Sequence, residues 1–331
     1  MRYPTGTLLF LALHASIGLV HSALGAPTHH AQDANAPAWQ SSAVEHGYGL
    51  PNTKRDLKGI LTLNADGLTF TAKAHTSSLQ RASIVAVSAG NQRVELWGIS
   101  GRILRMAIPD GGGLAAAAFM HHRVDMLTVE FADIHGGYHG AVFYLPANEA
   151  DRALQSFAQM PPLPRDPITT PCHNSPIEPA SILVAAPDWD EAQVPAAYRA
   201  LVYEHLIDRL QRLPGVSHVY RDGEANPESA CPQYTIRLSI TAFAAGSQVK
   251  RAVMGPVGLF VGTTQMTFDA TFTNASGSLN AEQQIKATVR GESESTTVAD
   301  GIAKTIAKHY TQAVKHSQQA AERGPAERSQ R

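Results

Sequence analysis

Alternating apolar and polar positions dominate the chain after residue 52. In GILTLNADGLTFTAK, Ile60, Leu61 and Leu63 precede Asp66-Gly67, and Leu68 and Phe70 follow it. That arrangement predicts two strands joined by a tight turn. ASIVAVSAG and QRVELWGIS continue the series, with Gly90-Asn91 expected as the turn between them. VDMLTVEFADIHGGYHGAVFYLP gives two β-rich runs around Gly136-Gly137. Val124, Met126, Thr128 and Glu130 alternate with Asp125, Leu127, Val129 and Phe131, while Ala141, Phe143 and Leu145 share one face of the returning run. The period then changes. In ANEADRALQSFAQM, Ala150, Leu154 and Phe157 form a helical stripe and Asn148 stands at the cap position. Short strands ended by one helix predict a small β-barrel over residues 52–160, closed by its C-terminal helix.

A second pattern occupies residues 172–315. SILVAAPDW is an apolar strand, and EAQVPAAYRALVYEHLIDRLQRLPGV places Val194, Tyr198, Leu201, Leu206, Leu210 and Leu213 near helical spacing before Pro214-Gly215 stops it. SHVYR, QYTIRLSITAF, QMTFDATFTN and QQIKATVRG are strand-like, and TVADGIAKTIAKHYTQAVK closes the series with Val298, Ile302, Ile306, Tyr310 and Val314 on one side. The order β-α-β-β-β-β-α predicts an antiparallel sheet with two long helices on one face. The expected architecture is therefore α+β in two domains.

Between the two lies MPPLPRDPITTP, whose prolines block helix and ladder alike, so residues 161–171 are expected to be a linker. Residues 26–51 lack periodicity and are expected to be a disordered arm. Residues 316–331 are polar, contain Gly324-Pro325 and are expected to fray. The first 25 residues have the features of an export signal: Met1-Arg2, an apolar core from Leu8 to Val20, and small residues from Ser22 to Ala26, with cleavage expected after Gly25. Thirteen apolar residues are too few to span about 30 Å of hydrocarbon.

Export changes the meaning of the cysteines. Cys172 and Cys231 are the only two in the chain, and in an oxidising compartment such a pair is expected to form a disulfide. The 27 basic and 28 acidic side chains leave a formal net charge of -1, without the electrostatic footprint of a non-specific nucleic-acid binder.

Candidate chemistry is sparse. Four histidines, His121, His122, His135 and His139, fall within nineteen residues. The i, i+4 spacing of His135 and His139 suits a metal-binding helix, but Gly136, Gly137 and Gly140 oppose helix there. A hairpin with His135, Gly136, Gly137 and His139 at or beside an exposed turn is the expected form. AVMGPVGLFVG is uncharged and lacks the Gly-Lys-Ser/Thr ending of a phosphate loop. Two accounts of it stand side by side: a glycine-rich connection tucked against the sheet, or a partner-contact loop presenting Arg251, Gly255, Gly258, Leu259, Phe260 and Gly262. Neither HExxH nor GxSxG occurs.

The motifs carry two resemblances. GILTLNADGLTF, ASIVAV and VDMLTVEF…GAVFYLP with the helix after them resemble the pleckstrin-homology-like barrels of bacterial proteins. That resemblance implies a docking module for lipid, peptide or protein. Phosphoinositide-binding members carry a basic cluster in the first hairpin, where this chain has LNADG between Lys58 and Lys73. GSQVKRAVMGPVGLFVGTTQMTFDATFTNASGSLNAEQQIKATVRG, with Gly246-Ser247, Arg251, Gly255, Gly258, Gly262 and the turn Asn274-Ala275-Ser276-Gly277, resembles an uncharacterised family of bacterial envelope proteins. That family is similar in fold to the periplasmic part of the curli secretion channel and to the N-terminal domain of TolB. Many of its members are lipoproteins, and this chain has no cysteine after the apolar core of its signal. Together the resemblances imply a periplasmic or secreted, non-catalytic protein without a cofactor that binds a protein or cell-envelope component. The alternatives are a metal-dependent protein or enzyme using the His-rich hairpin, or a subunit of a ring-like assembly.

Overall fold

The seven strands of the first sheet are Trp39–Tyr48 (β1), Leu57–Asn64 (β2), Gly67–Ala72 (β3), His75–Gln80 (β4), Ile84–Glu95 (β5), His121–Ala132 (β6) and Tyr138–Leu145 (β7). They run antiparallel in the order β4-β3-β2-β1-β7-β6-β5. This computed structural model describes residues 37–95, 121–159, 175–188, 193–225, 230–244, 264–289 and 295–322. The expected export segment, the linker, Cys172 and the loop from Arg251 to Gly262 lie outside the described residues.

The first sheet curls strongly. Phe70 on β3 and Phe143 on β7 are three ladder steps apart, about 14 Å in a flat sheet, yet their ring centroids lie 5.9 Å apart. The concave side encloses Leu61, Leu68, Phe70, Leu127, Val129 and Phe143, and the helix Glu149–Gln159 (α1) adds Ala150, Ala153 and Phe157. Asp125, not Asn148, caps that helix: its Oδ2 accepts from the Ala150 N–H at 3.3 Å, and Asn148 takes a left-handed φ of 68°. Among the described residues no ladder closes the sheet into a barrel. Its edge strands β4 and β5 are joined in sequence by the 3-10 turn Arg81–Ser83.

Three further expectations change here. The supposed disordered arm contains β1, which lies between β2 and β7 at the centre of the sheet. Its buried positions include Ser41 and His46, and register shifts between Ser41 and Val44 and between His46 and Tyr48 break the two-residue period. Polar inward positions and bulges hide a strand from alternation. Second, Gly90-Asn91 is no turn, because β5 runs through it and Gly90 pairs with Met126. Third, the loop of the first hairpin is Ala65-Asp66, and Asn64 Oδ1 accepts from the Asp66 and Gly67 N–H groups at 3.0 Å each.

The second sheet comprises Ile177–Val184 (β8), His218–Arg221 (β9), Cys231–Ala244 (β10), Thr264–Asn274 (β11) and Asn280–Val289 (β12), in the order β12-β11-β10-β8-β9. It is mixed rather than antiparallel: β8 pairs parallel with both β9 and β10. The helix Ala196–Gln211 (α2) joins β8 to β9 and carries the chain back over the sheet, so β9 re-enters in the same direction. The last helix, Ser295–Glu322 (α3), packs on α2, β11 and β12 and continues into the expected tail.

Helix α2 also lies on β7 and β6 of the first sheet. It is buried almost all round, at Ala197, Ala200 to Ile207, and Leu210. Its second contact depends on Gly140, where an added Cβ would stand 2.4 Å from Ala200 Cβ. Met126 and Val142 from the outer face of the first sheet join the core beneath α2, while its concave side keeps a separate core of its own.

Candidate functional site

The β6–β7 hairpin forms as expected, with residues 133–137 as its turn. Asp133 Oδ1 accepts from the N–H groups of His135 and Gly137 at 2.8 and 2.9 Å, and Gly136 supplies a φ of +89°. His135 is exposed, beside Ile134 at 93% exposure. His139 corrects the expectation of two surface histidines: it is buried and stacked on Phe131 with centroids 5.1 Å apart. His121 and His122 begin β6 at its far end, opposite Glu95 and Val94. Some eleven strand residues, about 37 Å, separate them from the turn. The four histidines therefore do not converge, and among the described residues no group of three or more His, Cys, Asp or Glu is arranged to hold a metal.

His139 instead belongs to a charged seam between the sheets. Its Nε2 lies 3.3 Å from Asp133 Oδ2 and its Nδ1 3.4 Å from Glu204 Oε1. Glu204, on α2, also accepts the Gly140 N–H at 3.0 Å and a bidentate pair of bonds from Arg221 of β9 at 2.9 and 2.8 Å. Arg221 donates further to the Tyr138 carbonyl at 3.0 Å. Burial alone would raise the Glu204 carboxyl, but His139 and the Arg221 guanidinium outweigh it and hold the group below its ordinary value. Burial would likewise lower Arg221, and Glu204 outweighs it in the other direction. A second pair crosses nearby, Arg199 Nη2 to Glu130 Oε1 at 3.4 Å, where burial raises the Glu130 carboxyl against the pull of Arg199. Backbone bonds complete the seam, from Tyr138 N–H to Asp222 O and from Ala225 N–H to His135 O, at 2.8 Å each.

Next to this seam opens a cleft of about 800 Å³. The first sheet contributes Leu79, Phe131, Asp133, His135 and His139, the β1–β2 loop Pro51 and Asn52, and the second sheet His218, Val219 and Arg221. Its floor is apolar and its charged groups are paired: Glu224 receives the Arg221 N–H at 2.8 Å and lies 3.3 Å from His218 Nε2. A smaller cleft of about 480 Å³ is polar, lined by Tyr48, Arg55, His205, Asp208, Arg212 and Asp300, with Arg209 bound to Asp300 at 3.0 and 2.6 Å. Tyr48 donates its hydroxyl to Asp208, and burial with that carboxylate pushes the phenol up.

Sequence reasoning missed Glu204, Arg221, Asp133 and Arg199. One clue was present: Ala197, Ala200, Glu204 and Ile207 make a second stripe on α2 beside the Leu201-Leu206-Leu210 one, and a helix with two stripes has two surfaces to cover. Cys231 opens β10 buried, with its N–H bound to the Pro176 carbonyl at 2.7 Å, while its expected partner Cys172 lies outside the described residues.

No family model and no curated protein matches the chain. Among solved structures it is similar to a PelC dodecamer from Paraburkholderia phytofirmans, with 13% identity over 40% of this chain and 87% of that one and a TM-score of 0.24. A likeness at that level carries no argument about function.

Proposed function

We propose that the chain is an exported, non-catalytic envelope protein that binds a partner protein or cell-envelope component in the cleft between its two sheets. The observation that supports this reading is the state of the cleft's polar groups. His139, Arg221, Asp133 and Glu224 are each engaged by a neighbour in the protein, which suits a preformed rigid wall around an apolar floor. Ile134, almost fully exposed on the turn that borders the cleft, supplies an apolar contact at its mouth. Export and a Cys172–Cys231 bridge belong to the same reading; non-reducing peptide mapping of envelope-purified protein tests both through its N-terminus and its linked peptides.

The binding test places a photo-crosslinking residue at Ile134 and, as a control outside the cleft, at Ile60, which is 37% exposed. Irradiated cell envelopes should give a discrete adduct from position 134 alone. Equal labelling from both positions, or turnover of an envelope substrate that a cleft substitution abolishes, would defeat the proposal.

A further inference from the structure

His46 is 1% exposed and lies between the rings of Phe70 and Phe143, with centroids 5.9 and 5.8 Å away. Both ring nitrogens are committed to the β1–β2 loop. The Leu50 N–H donates to Nε2 at 3.1 Å, so that nitrogen must carry a lone pair. Nδ1 stands 3.0 Å from the Lys54 carbonyl, which can only accept, so Nδ1 must carry the proton. The two bonds together specify the neutral Nδ1–H tautomer. A third bond, from the Asp56 N–H to the His46 carbonyl at 2.7 Å, ties down the far end of the loop. Between these anchors Gly49, Asn52 and Asp56 all take positive φ, of 95°, 55° and 62°. For the two non-glycine residues such backbone persists only where its surroundings hold it.

We propose that His46 is a proton-operated latch on the β1–β2 loop and, through it, on both clefts. A proton on Nε2 would set N–H against the Leu50 N–H, donor facing donor in a site closed to water, and the loop must then move. That loop supplies Pro51 and Asn52 to the inter-sheet cleft and Arg55 to the polar one. The charged or titratable groups acting on the ring are Asp56 on the loop itself and His75 on β4, whose Nε2 lies 2.9 Å from Thr53 Oγ1, while Lys54 meets it through its backbone carbonyl. From β2, β3 and β7 the facing residues are Leu57, Phe70 and Phe143, which do not titrate. Burial, with His75, lowers the imidazole below its ordinary value, against the Lys54 and Tyr48 backbone and Asp56, which favour the cation. The closed loop is therefore fully stabilised above the ordinary histidine value and released as pH falls through the depressed one. The latch does not depend on what occupies the cleft.

Native-state hydrogen exchange and ring-nitrogen spectra of the ¹⁵N-labelled chain, taken from about pH 7.5 to about pH 5, test it. At the upper end His46 should show the Nδ1–H form. Between the ordinary histidine value and its own depressed midpoint the Leu50 and Asp56 amides should lose protection roughly tenfold per pH unit, while Leu127 in β6 keeps its own. His46→Gln, which retains an acceptor and a donor without titrating, should make the loop insensitive to pH. The proposal falls if Leu50 stays protected while His46 titrates, if Leu127 loses protection in step with Leu50, or if His46→Gln keeps the wild-type profile. Should that variant not fold, the wild-type measurements decide alone.

Discussion

Helices α1 and α2 solve different problems. The first presents one small apolar stripe, Ala150, Ala153 and Phe157, to one curled sheet, and its other side faces water. The second is clasped between two sheets and has almost no outside. A one-sided helix can put its charges in solvent, as Arg152 does in its exposed pair with Glu149. A two-sided helix has that freedom only at its C-terminal end, where Asp208 and Arg209 reach the polar cleft. A charge in its clasped middle must meet a partner in the interior, and Glu204 meets Arg221, Gly140 and His139 there. The contrast teaches where substitution will be felt.

The largest effect is expected from breaking the seam. Arg221→Met strands a buried carboxylate and should cost about 3–5 kcal/mol in urea unfolding. Adding Glu204→Leu to that variant should restore most of the loss. A single-variant cost below about 1 kcal/mol would mean that α2 tolerates charge as α1 does. Next comes Gly140→Ala, whose new methyl meets Ala200 on a helix that has no room to retreat. It should cost about 1–3 kcal/mol, and Ala200→Gly in the same chain should recover part of it.

Acid sharpens the comparison further. Because the folded Glu204 carboxyl lies below its ordinary value, its stabilisation is present above that value and lost as pH falls through the folded one. Glu130, raised by burial, acts with the opposite sign, its contribution fading as pH rises through its folded value. The fall in Tm between about pH 5 and about pH 3 should thus be shallower in the Glu204→Leu/Arg221→Met pair than in the parent, and unchanged in it if Glu204 is not the titrating group. The smallest change belongs to α1. Arg152→Ala, at 66% side-chain exposure, should stay within about 0.5 kcal/mol of wild type.

The same contrast explains what could be read from the chain. Alternation located β2, β3, β6 and β7, because their inward positions are Leu, Phe and Val, and the periodic spacing located α1, α2 and α3, the helices among the described residues. It failed at β1, where Ser41 and His46 point inward and two register shifts interrupt the count. Strand direction was also hidden: period gives a strand's faces, not its neighbour's sense, so the parallel pairing of β8 with β9 and β10 was read as antiparallel. Of the site, the hairpin and its turn were legible from Gly136-Gly137 and the flanking runs. The fate of His139 was not, since its partner Glu204 lies far along the chain and Arg221 arrives from the edge strand of another sheet. Chemistry assembled across an interface leaves only a faint trace in local pattern, here the second stripe on α2.

The double burial of α2 has a consequence for how the chain reaches this state. During N-to-C synthesis the first sheet is complete before the helix that covers Met126 and Val142 has been made. Until then the outer face of β6 and β7 has nothing to rest on, and α2 itself cannot hide Glu204 before Arg221 follows it. Folding half by half would strand both an apolar face and an unpaired charge, so the last step must bring the halves together at once. A fragment ending at residue 159 should accordingly bind a hydrophobic dye and self-associate, and mixing it with the remainder of the chain should suppress both.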